Sequence, residues 1–80
     1  MKVTKAMATC YMNCYDYVMQ YADDPHIDAQ TFQLMGNRLC GMWDMLEAVT
    51  ETTGHDIPDG IKIMQDRYEK ALMKKTGLTT

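Results

Sequence analysis

The chain has 80 residues, of which 46% are hydrophobic, and a formal net charge of −3; this is enough for one domain with a single modest core. The acidic balance argues against general nucleic-acid binding, where phosphate contacts dominate affinity. No apolar run approaches the ~20 residues that a bilayer span needs. The polar N-terminus lacks the apolar segment of a secretory signal, so Cys10, Cys14 and Cys40 are expected as free thiols in a cytoplasmic setting.

The first predicted helix runs from about Thr4, an N-cap residue type, to about Ala22, where Asp23-Asp24-Pro25 ends it. At about 100° per residue, Lys5, Thr9, Asn13, Asp16 and Gln20 fall in one narrow polar stripe. The rest of the wheel is apolar or aromatic. A helix packed on one neighbour needs only a modest apolar stripe, and one apolar nearly all round needs cover on several sides. Met7, Tyr11, Cys14, Val18 and Tyr21 make the inner seam. The flanking stripe of Ala8, Met12, Tyr15 and Met19 is left for a partner.

The second helix is predicted over 28–53, about 39 Å at 1.5 Å per residue. Asp28 is its N-cap, Ile27 and Phe32 sit at staple spacing, and Gly54 stops it. Its seam is Phe32, Met35, Leu39, Met42, Trp43, Leu46 and Val49. Gly36 and Gly41 each cost about 1 kcal/mol relative to alanine inside a helix, which points to a close approach by a neighbouring helix or to a break. Leu34, Gly41, Met45 and Ala48 lie outside the seam and form a second candidate contact stripe.

The third helix is predicted over 58–76, with Pro58 in its first turn and Gly77 after its last. It presents Ile61, Met64, Tyr68, Ala71 and Leu72 to the core; Leu78 is expected to pack back on Met73, and Thr79-Thr80 to fray. Both connections are short, which favours antiparallel neighbours. The expected architecture is all-α: one domain over 1–80, an up-down-up three-helix bundle with a long central helix, completed by dimerisation.

Residues capable of chemistry are present without a working pattern. Cys10 and Cys14 at i, i+4, with His26 or His55, lack the paired spacings of zinc sites. Each histidine lies close to an aspartate (Asp28 or Asp56) in a polar turn, where a solvated ring is the simpler reading. Cys40 lies near Arg38 but has no histidine beside it. There is no serine, and the five glycines form no phosphate loop. The expectation is a non-enzyme without cofactor or metal.

Charge is unevenly placed. Residues 23–59 carry eight carboxylates against Arg38 alone, while 60–80 are net basic. Asp44, Glu47 and Glu51 share one side of the second helix, and Arg67, Lys70 and Lys74 one side of the third. The basic face supports an alternative reading as a helical nucleic-acid-binding regulator, although Asp66 and Glu69 interrupt it. The leading expectation is a small module that works by protein–protein contact, as a homodimer and as an inhibitor or modulator of a larger protein, of the size that phages encode against host factors. Its expected interface residues are Met12, Tyr15, Met19, Leu34 and Met45.

Overall fold

The computed structural model describes residues 5–54 and 56–77. Among them are three helices and no strand: α1 (Lys5–Met19), α2 (Ala29–Thr53) and α3 (Asp59–Thr76), each packed on both of the others. The expectations for Thr4, His55, Leu78 and Thr79-Thr80 fall outside the described residues.

The helix ends follow from local chemistry. Asp28 caps α2 by accepting the Thr31 N–H at 2.7 Å. That bond holds its carboxyl below the usual aspartate range. Gly54 and Gly77 close α2 and α3 at φ 74° and 76°, in the left-handed region that glycine enters without a Cβ penalty. The predicted limits of α2 and α3 differ from the observed ones by one residue. The first helix is a correction: it stops at Met19, not Ala22. Tyr21 donates to Val18 O and Ala22 to Met19 O, the three-residue spacing of a tightened turn. The side chain of Asp24 then accepts the His26 N–H at 2.9 Å, fixing the chain direction before α2.

The core gathers Tyr11, Tyr15 and Val18 from α1, Phe32, Leu39 and Leu46 from α2, and Ile61 and Tyr68 from α3, with Ile57 from the connection. Tyr15 is a correction to the sequence reading, being a core residue and not part of an exposed stripe. Gly36 and Gly41 do not interrupt α2, and they differ in role. A Cβ on Gly36 would overlap the ring and hydroxyl of Tyr68, so the helix approach needs glycine there. Gly41 has no neighbour from outside its own stretch of helix within 4 Å of that position, among the described residues.

One polar group is buried with the core. Gln65 accepts the Tyr11 hydroxyl proton at 2.5 Å and directs its amide to Cys40 Sγ at 3.9 Å. Burial is the main reason that Tyr11 ionises well above an ordinary tyrosine, and it pushes Tyr68 up to about 12. Tyr68 stacks on Phe32 with centroids 5.3 Å apart. On the same ring lies Lys75 Nζ, 5.3 Å from the Phe32 centroid. The ammonium donates to Asp24 O at 3.0 Å and Ile27 O at 2.7 Å, and so latches the end of α3 to the α1–α2 connection.

Candidate interaction surface

The centre of the apolar arc of α1 is buried and its edges are not. Along one edge Met12 is 42% exposed, while Ala8 and Met19 are half-buried against the core. Along the other edge, Ala6, Cys10, Asn13 and Tyr17 follow one another at spacings of 4, 3 and 4, which puts them on one line of a helix. Tyr17 is 56% exposed.

This second edge faces α2 across an open groove of about 750 Å³, lined by Cys10, Asn13, Cys14 and Tyr17 on one side and Leu34, Met35, Arg38 and Met42 on the other. Leu34 stands 63% exposed at its wall. A smaller apolar hollow of about 310 Å³ continues past Cys10 and Met42 to Met45, itself 49% exposed. The expected interface residues therefore separate: Leu34 and Met45 border the α1–α2 groove, Met12 lies on the other edge of α1, and Met19 packs inward. Tyr17, Cys10 and Arg38 line the groove and were not among the expected interface residues; for Tyr17 and Cys10 the 4-3-4 spacing on α1 was the signal available, and for Arg38 the sequence offered none.

The thiols also divide. Cys10 is exposed and Cys14 half-buried, although both line the α1–α2 groove. Burial raises the Cys14 thiol, and the opposing pull of Arg38 is the smaller effect. Among the described residues, no group of three or more His, Cys, Asp or Glu is placed to hold a metal ion, and no helix is long and apolar enough to cross a membrane.

The charged faces lie elsewhere. Glu47 and Glu51 line the groove between α2 and α3, about 390 Å³, together with Asp56, Asp66, Glu69 and the cation Lys62. Asp44 is exposed and apart from it. On α3, Arg67, Lys70 and Lys74 are all exposed. Lys70 Nζ pairs with Asp66 at 2.9 Å, in an exposed i, i+4 bridge of small energetic weight. Lys74 borders a shallow pocket with Lys75, Asp23, Asp24 and Asp28. Carboxylates thus accompany the basic stripe along α3.

Comparison of the chain with models of known protein families, with curated proteins and with solved structures gives no match.

Proposed function

We propose that this protein is a non-catalytic binding module, an up-down-up bundle that docks on a larger protein through its α1–α2 groove and so inhibits or modulates it. The observation that supports the reading is the grouping of Tyr17, Leu34 and Met45, all about half exposed or more, along the α1–α2 groove and the apolar hollow that shares Cys10 and Met42 with it. Large apolar side chains scattered singly on a surface need no explanation, whereas a contiguous set marks a contact site. Aromatic and methionine side chains suit such a site: both are enriched at interface cores, and the flexible, polarizable thioether of methionine fits an irregular surface. Among the described residues, Arg38 is the only charged one lining the groove. A matching partner presents an apolar ridge with a carboxylate placed for Arg38.

The test is capture of partners by the tagged protein from its cell of origin, run beside Tyr17→Glu and Leu34→Glu. Both sites are exposed, so both variants should keep wild-type helicity by circular dichroism. Burying one such side chain is worth about 1.5–3 kcal/mol, so each variant should weaken the captured complex at least about tenfold. A partner held equally well by both variants would overturn the assignment of the groove, and a wild type that captures nothing would overturn the function.

A further inference from the structure

Gly41 is the middle residue of α2, with twelve helical residues on either side. It is exposed, and among the described residues nothing outside its own stretch of helix lies within 4 Å of the place its Cβ would take. A glycine in an exposed helix interior weakens the helix, and no contact among the described residues requires it. It lies on the outermost ridge of α2, between Leu34 and Ala48, with Met45 beside it; all four are exposed. Gln30, Asn37 and Thr52 complete the ridge, which carries no charged side chain although Arg38 and Asp44 flank it.

We propose that this ridge is the seat of a second copy of the chain, with α2 packed antiparallel on the partner's α2 about a two-fold axis at Gly41. Three features fit that occupant. The glycine stands where the axis crosses, the one point at which both backbones approach most closely. Leu34 and Ala48 are each seven residues from Gly41, so Leu34 opposes Ala48 of the partner subunit, large against small, twice over. A parallel pair would set Leu34 on the partner's Leu34 and leave the two alanines facing a gap. A two-fold contact also brings equivalent flanks together, so like charges would meet. An uncharged strip is the part of α2's outer surface that a chain of net charge −3 can offer to itself without repulsion. This inference deepens the docking reading and shares Leu34 and Met45 with it, while Gly41 and Ala48 lie off the groove and Tyr17 off the ridge.

The experiment measures mass by light scattering on the full chain at about 50 μM, a range that populates dimers of micromolar affinity, together with disulfide trapping in a Cys10→Ala background. The wild type should have twice the chain mass and Ala48→Glu the single mass at unchanged helicity. Gly41→Cys should cross-link to itself. Leu34→Cys and Ala48→Cys should cross-link when mixed and not separately. A monomeric wild type, a dimer indifferent to Ala48→Glu, or self-cross-linking of Leu34→Cys without the mixed product would each overturn the proposal. A monomer that still captures a larger partner in a Tyr17-dependent way refutes this inference and leaves the docking reading standing. A dimer with this trapping pattern and no Tyr17-dependent capture does the reverse.

Discussion

Replacing Gly36 by alanine probes the closest helix approach in the fold. In an isolated helix the change is favourable by about 1 kcal/mol. Here the new Cβ would overlap Cε1, Cζ and Oη of Tyr68. That ring is fully buried and stacked on Phe32, so it can yield only by displacing core neighbours. Forcing an extra carbon into a packed core costs about 1–3 kcal/mol, and a ring trapped on both sides belongs at the upper end. The net loss is then about 2 kcal/mol, a fall in Tm of roughly 8–16 °C for a domain of this size. Urea unfolding followed by circular dichroism reads this directly. The control is Tyr68→Leu, which removes all three overlapping atoms. In that background Gly36→Ala should change sign and stabilise by up to about 1 kcal/mol. If Gly36→Ala stabilises the native chain as well, the approach of α3 to α2 at this point is wrong.

Two further outcomes follow from the buried polar groups. Tyr11→Phe removes the donor to Gln65 and should cost about 1–3 kcal/mol, while the double variant Tyr11→Phe/Gln65→Leu should recover much of the loss because no buried acceptor is left unpaired; a double variant as unstable as the sum of the singles would show that the pair is not coupled. With pH, the sign is set by the raised phenols. Unfolded tyrosines ionise near 10.0, whereas burial raises Tyr11 and holds Tyr68 near 12. Their contribution is complete below pH 10 and is lost as pH rises from 10 toward 12. Denaturant midpoints flat across that window would contradict the burial of both rings.

What was readable in the chain was whatever is decided within a few residues. The cap at Asp28, the stops at Gly54 and Gly77 and the seam through Phe32, Leu39 and Leu46 all rest on local spacing, and the structure has them there. The end of α1 was missed because Val18 and Met19 accept from donors three residues on, so the apolar pattern outlasts the helix. Gln65 escaped notice for the opposite reason. It sits at 4-3-4 spacing with Ile61, Tyr68 and Leu72, and only its polarity set it aside. Tyr15 was misplaced because successive members of a helical stripe drift around the axis: Met12 and Tyr15 differ by about 60° at 100° per residue. The boundary between buried and exposed runs between them, and its position depends on where α3 lies, which no local pattern in α1 encodes.

The same limit explains why the apolar excess of α1 ends up beside α2. Each helix touches both others, so α1 has two contact flanks, and its apolar arc is wider than both together. The surplus emerges at the edges of that arc, and the two grooves beside α2 differ in the charges that line them. The groove between α2 and α3 takes five carboxylates and Lys62, side chains that hold water and resist burial. The groove between α1 and α2 takes, among the described residues, one charged side chain, Arg38, and the neutral Asn13 beside thiols, methionines, Leu34 and Tyr17. Guanidinium is the more weakly hydrated of the basic groups and the better suited to contact interfaces. Removing water from the α1–α2 side therefore carries one ionic penalty, which a single carboxylate on the partner can offset, whereas covering the α2–α3 side would strand several charges of one sign. That difference in ionic lining is why the docking reading places its partner on the α1–α2 side and not on the α2–α3 side.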